Sequence, residues 1–396
     1  MLNARGIIAT IRASRGEDIL AAVDEFLAIL QAESSNTASL SQVERAEDLR
    51  VMLYKKLVRP LLPYMDGFET IYISPDYDLV NLPFEILYDE EQEQLDDLYS
   101  VIKIECARDF LYQGLSDVPT KGSLIIGNPQ YNVEDSDLDD YEEQSEHQDL
   151  NRSLRIDPQV VAQLPFSQVE AEQIGKRCAS TWYSGCAATK HLLMNASGYT
   201  NIHIATHGFY DLSGQSANGM YSSCLLFAGA CNWLNTGFVS KKFGNGMITA
   251  DEVSRLNLQS VNLVVLSSCL SGMNDVSVNK GFHGMIGAFS AAGVRFVISH
   301  LWEANDFSSA VLMDTFYFYY IEKGLSPQLS LKMAKRYLRQ VSIGELRQNR
   351  WFDYTQQRNT DARTEQLIAQ YEKMDDRARP FKSEACWGGY VCYQCC

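Results

Sequence analysis

The 396-residue sequence predicts an α/β protein built on a mainly parallel sheet with helices on both faces. Three observations favour this fold class. Short β-rich runs alternate with helical patterns from Glu69 onward. Two of the runs, Val261–Leu266 and Val294–Ile298, are almost continuously apolar, as strands buried on both faces are. The composition, 46% hydrophobic and 21% charged, is typical of a globular chain that can bury a large core.

Residues 1–65 are predicted to form an N-terminal helical region. Apolar residues recur at helical spacing over Asp18–Leu30 and again over Gln42–Tyr64, with a polar break at Ser34–Ser41. The simpler interpretation of this region is a packed N-terminal appendage, and the alternative is a docking element for a partner.

The β-rich runs and the helical patterns that follow can be placed in order. The predicted strands are Ile71–Ser74, Val101–Glu105, Leu124–Ile126, Ser180–Tyr183, Ile202–Thr206, Leu225–Phe227, Leu263–Ser267, Val294–Ser299 and Gly389–Tyr393. The predicted helices are Ser167–Cys178, Thr249–Leu256, Phe282–Ala292, Ser308–Glu322 and Ser326–Val341. Residues 134–149 hold nine acidic side chains and are expected to be a solvated loop, because such charge density resists burial.

Charge and targeting signals restrict the function classes. The net charge is −16, which argues against a nucleic-acid binder, because phosphate contacts need clustered Lys and Arg. No apolar run approaches the roughly 18 residues of a membrane span. The short apolar stretch Ile7–Ile11 is too brief for a signal peptide, so we expect a cytoplasmic protein whose ten cysteines are reduced.

One histidine and one cysteine stand directly after predicted buried strands. His207 follows Ile202–Thr206, and Cys269 follows Leu263–Ser267. If the two strands are parallel neighbours, both side chains emerge at the same edge of the sheet, where ligands gather in such folds. Their separation of 62 positions is enough for the crossover that parallel pairing requires.

This pair could carry out nucleophilic catalysis. A free thiol has a pKa of about 8.5, and a nearby imidazole can accept its proton and later protonate a leaving amine. The backbone N–H groups of Gly208 and Cys269 could hold a developing oxyanion, each donor contributing about 3 kcal/mol.

The residues by themselves leave other interpretations open. A cysteine at a strand end is usually a small buried hydrophobe, and a single histidine is usually structural. Zinc at His203 and His207 is disfavoured, because a strand separates them by roughly 13 Å. Zinc at the terminal cysteines is a further alternative, although core packing fits their irregular spacing better; they are Cys386, Cys392, Cys395 and Cys396. We therefore predict no metal.

An ordered set of short motifs makes the sequence recognisable. The set comprises Leu53–Leu57 with Pro60, Leu82–Leu87, Gly127–Pro129, Leu164-Pro165 with Glu170 and Ile174, Ala205–Gly208, Ser268–Gly272, Ala292-Gly293, Leu301–Asp306, Phe316-Tyr317 and Trp387–Val391. In this order they resemble the CHAT domain family, caspase-like cysteine peptidases related to separases. The resemblance covers much of residues 50–393.

The resemblance implies a caspase-like fold with an inactive half at 66–160 and a catalytic half at 161–396. It implies His207 as the general base and acid, Cys269 as the nucleophile, and Gly208 and Cys269 as oxyanion donors. The reaction would be peptide-bond hydrolysis through a thioester, with no metal or cofactor.

Substrate-binding residues are also suggested by the family. Many relatives carry Asp two residues before the cysteine, where this chain has Ser267. By analogy with separases, Asp306 or Glu303 would line a pocket for Arg or Lys, and Asp211 is a weaker candidate. The alternative for Asp306 is an N-cap of a helix starting at Phe307.

We therefore expect an endopeptidase that cleaves a specific partner protein, such as a pore-forming precursor, in regulated bacterial signalling or antiviral defence. A regulatory protein partner would fit residues 1–65 and the loop Ser213–Gly246, either of which could hold the enzyme inactive. The alternatives are a catalytically silent CHAT scaffold and a cysteine-dependent acyltransferase or deamidase.

Overall fold

The fold centres on one eight-stranded sheet. The computed structural model describes residues 16–35, 37–89, 91, 93–105, 122–134, 141–143, 156–210, 223–267, 284–302, 305–349, 351–352 and 362–395. Its strands are β1 (Thr70–Ile73), β2 (Ser100–Ile104), β3 (Ser123–Pro129), β4 (Tyr141–Glu143), β5 (Trp182–Gly185), β6 (Asn201–Ala205), β7 (Gly208–Tyr210), β8 (Ser223–Leu226), β9 (Phe238–Ser240), β10 (Met247–Thr249), β11 (Leu263–Ser267), β12 (Phe296–His300) and β13 (Tyr390–Gln394).

The helices include all the predicted segments and several short helices that the sequence patterns did not predict. They are α1 (Gly16–Ser34), α2 (Leu40–Leu53), α3 (Leu62–Met65), α4 (Leu95–Leu98), α5 (Pro165–Arg177), α6 (Lys190–Met194), α7 (Ala230–Thr236), α8 (Ala250–Ser254), α9 (Met285–Ala291), α10 (Asp306–Tyr317), α11 (Pro327–Gln340), α12 (Ile343–Gln348) and α13 (Ala362–Glu372). The predicted helix over 42–64 is interrupted: α2 ends at Leu53, and one π-helical and one 3-10 turn lead to α3. Pro60 and Pro63 lie in these last turns, where they lack the N–H that a continuous helix uses.

The main sheet has the strand order β1-β2-β13-β12-β11-β6-β3-β5. Every described neighbour pair is parallel except β12 with β13, so the sheet consists of two parallel blocks that run in opposite directions. The predicted fold class, a mainly parallel sheet flanked by helices, is confirmed. The carboxyl ends of β5, β3, β6, β11 and β12 meet at one edge, beside the start of β13.

Both faces of the sheet are covered. All five residues of β2, β6, β12 and β13 are buried, which an open face would not allow. Helix α5 packs on β3, β5 and β6 and against α10, while α11 packs on β2 and β13. The predicted boundary at residue 160 does not coincide with a break in the sheet, since β3 lies between β5 and β6. The division into halves stays a prediction.

Two smaller sheets lie outside the main one. Strands β7, β8 and β10 form an antiparallel sheet, and β4 pairs with β9. Most of the predicted acidic loop 134–149 lies outside the described residues, but Tyr141–Glu143 is a strand, which corrects the expectation that the whole stretch is a loop. None of the helices in the described part of the chain has the length and apolarity needed to cross a membrane.

The N-terminal helices pack against the segment that precedes β13. Arg50 is 3% exposed, and its guanidinium lies 3.1 Å from a carboxylate oxygen of Glu384 and over the ring of Tyr88. The hydroxyl of Ser383 donates to Glu33 of α1 at 3.1 Å. The predicted N-terminal helices α1 and α2 are therefore joined to the C-terminal part of the chain.

Candidate active site

The two strands that precede His207 and Cys269 are parallel neighbours, which meets the condition that the sequence argument set. Strand β6 pairs with β11 in a register that places Ala205 beside Ser267. His207 follows Ala205 by two positions, and Cys269 follows Ser267 by two positions. Cys269 itself lies outside the described residues, as do Asp211 and Glu303.

The imidazole of His207 is held by a backbone carbonyl. Its Nε2 lies 2.7 Å from the carbonyl oxygen of Ala162, in the segment that leads into α5. A carbonyl can only accept, so Nε2 carries the proton of the neutral ring. The basic lone pair is then on Nδ1, which is the atom available to take a proton in that tautomer.

The chain turns out of the main sheet at His207. The N–H of Leu226 donates to the carbonyl of His207 at 3.0 Å. In a regular antiparallel ladder the N–H of His207 would donate to the carbonyl of Leu226 in return. Instead the hydroxyl of Thr206 donates to the Leu226 carbonyl at 2.5 Å, and the N–H of His207 donates to the hydroxyl of Tyr131 at 3.2 Å.

The N–H of Gly208, the expected oxyanion donor, takes no part in the ladder with β8. Gly208 lies opposite Leu225 on β8. The adjacent pair, His207 and Leu226, is a hydrogen-bonded pair of the antiparallel ladder, and the two kinds of pair alternate, so Gly208 and Leu225 form a non-hydrogen-bonded pair. In such a pair the N–H points away from the partner strand. The N–H of Gly208 therefore points away from β8.

The segment that carries Ala162 is fixed at two points. Asn128 has a left-handed backbone, with φ +46°, and its side-chain oxygen accepts from the N–H of Leu164 at 3.0 Å. A carboxylate oxygen of Asp306 accepts from the N–H of Phe166 at 2.8 Å. Both bonds hold the start of α5, and so they also fix the Ala162 carbonyl that contacts His207.

The position of Asp306 corrects one of the two interpretations offered for it. Helix α10 begins at Asp306 and not at Phe307, and its N-cap is Asn305, whose side chain accepts from the N–H of Ser308 at 3.1 Å. The carboxylate of Asp306 instead binds the first turn of α5, whose own N-cap residue Leu164 has no side chain suited to this task. The predicted role in substrate binding is a separate question and stays a prediction.

The CHAT domain family matches residues 47–394, which is most of the chain. The chain belongs to the CHAT domain family. Two solved structures are also similar. The crystal structure of the Arg-specific cysteine proteinase gingipain R is 10% identical, with a TM-score of 0.40, over 94% of this chain and 73% of that one. The complex of the pro- and mature domains of RgpB from Porphyromonas gingivalis is 12% identical, with a TM-score of 0.35, over 96% and 76%. No curated protein matches the chain.

The CHAT motifs at the ends of β11, β12 and β13 meet next to this site. The hydroxyls of Ser267 and Tyr390 lie 3.2 Å apart, and the ring of Tyr390 packs on that of His300, with centroids 4.2 Å apart. The indole N–H of Trp302 donates to the carbonyl of Ala385 at 2.9 Å. Burial lowers the pKa of His300 to about 3, so this ring is neutral and serves packing rather than proton transfer at physiological pH.

Another histidine, His203, lies beneath the site. His203 of β6 and Glu170 of α5 are almost fully buried, with Nε2 and a carboxylate oxygen 3.0 Å apart at an angle unsuited to a hydrogen bond. The ring of Tyr317 meets His203 edge-on. His203 and His207 thus have different environments, one in the core and one at the sheet edge.

Sequence reasoning missed two residues of the site. Tyr131 contacts His207 through its hydroxyl and its ring, with centroids 5.1 Å apart, and Ala162 contacts it through a backbone atom. A backbone carbonyl leaves no trace in residue type. Tyr131 stands two residues after the Gly127–Pro129 motif, and that proximity was the one available signal.

Proposed function

We propose that the chain is a cysteine endopeptidase in which His207 and Cys269 form a catalytic dyad. The observation that carries the proposal is the pairing of Ala205 with Ser267, because it brings the exits of β6 and β11 side by side. Neighbouring strands are about 4.8 Å apart, a spacing that two side chains can bridge. The hydrogen bond from Nε2 of His207 to Ala162 supports the same assignment, since it leaves Nδ1 as the base.

The proposed reaction begins with proton transfer from the Cys269 thiol to Nδ1 of His207. The thiolate attacks the scissile carbonyl carbon, and the N–H groups of Gly208 and Cys269 stabilise the oxyanion. The Ala162 carbonyl stabilises the imidazolium. Nδ1 then protonates the amine as the C–N bond breaks, which leaves a thioester on Cys269. Nδ1 next deprotonates a water molecule, whose attack on the thioester releases the acid product and restores the thiol.

Iodoacetamide labelling, quantified cysteine by cysteine by peptide mass spectrometry, tests the dyad. Burial raises the pKa of Cys231 to about 11 and that of Cys386 to about 12, so these thiols are protonated at pH 7 and react slowly. We expect Cys269 to react at least about tenfold faster than both. The rate should fall in His207→Ala and persist in the control His191→Ala, which changes a histidine of α6. A Cys269 that reacts no faster than Cys231 would remove the dyad.

Incubation with proteins encoded beside this chain tests the reaction. We expect the wild type to produce new N-termini that Cys269→Ala does not produce. A mass shift without chain scission would indicate a deamidase or acyltransferase instead, and unchanged proteins despite a reactive Cys269 would indicate a silent scaffold. Either result would overturn the endopeptidase assignment.

The finer expectations rest on the family and on residue type. These are a specific partner protein such as a pore-forming precursor, a role in bacterial signalling or antiviral defence, a regulatory partner, and a cytoplasmic location. Asp306, Glu303 and Asp211 are proposed to select the cleaved residue. The termini of the fragments will test this directly, because acidic side chains in the pocket predict cleavage after Arg or Lys.

A further inference from the structure

We propose that Tyr131 is a positioning residue for the catalytic histidine, acting through its hydroxyl on the backbone of His207. The inference deepens the proposed function and rests on it. It assigns a role to a buried tyrosine that belongs to neither of the catalytic motifs.

The hydrogen atoms of this arrangement can be assigned one by one. The hydroxyl of Thr206 donates to the Leu226 carbonyl at 2.5 Å, so its only hydrogen is used there. Tyr131 must then donate to the Thr206 oxygen, 3.0 Å away. The phenol oxygen accepts from the N–H of His207 at 3.2 Å. The hydroxyl of Tyr131 is therefore both a donor and an acceptor in one chain of hydrogen bonds.

This chain of bonds sits where the main sheet ends and the small sheet begins. Here the hydroxyl of Thr206 takes the Leu226 carbonyl that the N–H of His207 would bind in a regular ladder, and the N–H of His207 binds Tyr131 instead. Without the phenol oxygen, the partly buried N–H of His207 would lose its partner, and the ladder bond to the Leu226 carbonyl would compete for it. Forming that ladder bond would rotate the peptide that carries the imidazole away from Ala162.

Tyr131 is itself held firmly. It is 1% exposed, and its carbonyl accepts from the N–H of Cys231 at 2.9 Å. The preceding carbonyl, that of Gln130, accepts from the N–H of Gly229 at 3.0 Å. The ring packs in a small hydrophobic cluster with Leu226 and Trp233. A rigid anchor of this kind can define where His207 lies.

Tyr131 and Ala162 contact different parts of His207. The Ala162 carbonyl holds Nε2 of the ring, while Tyr131 holds the backbone and lies against one face of the imidazole, with centroids 5.1 Å apart and planes tilted by 46°. A displacement of about 1 Å at a catalytic group can cost 100-fold in rate. The hydroxyl of Tyr131 is therefore expected to affect turnover more than folding.

The test is Tyr131→Phe, which removes the hydroxyl and keeps the ring. The matched control is Tyr317→Phe, because the Tyr317 hydroxyl is buried and has no hydrogen-bond partner among the residues that the structure describes. We expect Tyr131→Phe to lower kcat about 10- to 100-fold with KM within about twofold, and to slow alkylation of Cys269 at pH 7. The control should leave both rates within about twofold of the wild type.

A spectroscopic measurement separates positioning from general damage. Imidazole nitrogen NMR of the full chain should find the Nε2–H tautomer of His207 in the wild type and in Tyr317→Phe, and a mixture of tautomers in Tyr131→Phe. Wild-type tautomer and alkylation rate in Tyr131→Phe would overturn the inference while leaving the dyad intact. If His207→Ala does not slow alkylation of Cys269 relative to the wild type, the proposed function itself would be overturned.

Discussion

Gly127 sets the distance between α5 and the sheet, and Gly127→Ala tests this role. Its backbone does not need the left-handed region, so the substitution acts through space alone. A Cβ at this position would overlap the carbonyl oxygen of Ser167 and lie 2.7 Å from the Cβ of Ala171. Both are parts of α5 that no rotamer change can move, so the whole helix must shift outward by close to 1 Å to restore ordinary contacts.

The cost can be estimated from this geometry. Overpacking of a fixed core typically costs about 1–3 kcal/mol, and a clash with a backbone atom belongs at the upper end. The unfolding entropy of a 396-residue chain is about 0.8 kcal/mol/K, so 3 kcal/mol lowers Tm by about 4 °C. The shift of α5 also draws Ala162 away from His207, so alkylation of Cys269 should slow.

Differential scanning calorimetry and the iodoacetamide rate measure the two effects. The control is Gly344→Ala in α12, where the new Cβ would lie 3.3 Å from the exposed Asp376 and a helical alanine is favourable. We expect its Tm within about 1 °C of the wild type or slightly above it. A wild-type Tm for Gly127→Ala would refute the claim that this glycine sets the helix-to-sheet distance.

Two further substitutions probe buried charges away from the site. Arg50→Met should destabilise the protein by about 3 kcal/mol in urea unfolding, because it leaves the carboxylate of Glu384 without the buried guanidinium beside it. The control Arg45→Met breaks an exposed ion pair that solvent screens, so it should cost far less, and equal costs would contradict this assignment. Burial raises the pKa of Asp96 from 3.8 to about 6, so the folded state binds more protons than the unfolded state between these values. The contribution of Asp96 to stability should therefore decrease as pH rises from about 4 to about 6, by up to about 3 kcal/mol. The difference in unfolding free energy between the wild type and Asp96→Asn should follow this slope, and a difference that does not vary with pH would show the cause to be wrong.

The Asp306 carboxylate illustrates how a local signal can mislead. An Asp before an apolar helical run is a common N-cap, and the sequence offered that interpretation beside a role in substrate binding. The structure gives this task to Asn305, one residue earlier, and uses Asp306 to hold α5, which is 140 residues away in sequence. Local preference identified the type of interaction, but only the packing of α10 on α5 selected its partner.

Residue patterns alone determined the fold class, most strands and helices, and the placement of His207 and Cys269 directly after two buried strands, whereas the pairing of those strands came from the structure. The features that the patterns determined follow from hydrophobic periodicity and from strand-to-helix alternation, which are short-range properties of the chain. The tertiary structure decided the reversed direction of β1, β2 and β13, the left-handed turn at Asn128, and the contacts of His207 with Ala162 and Tyr131. Those features join segments that are distant in sequence, and one contact uses a backbone carbonyl that every residue type possesses, so no local pattern could specify them.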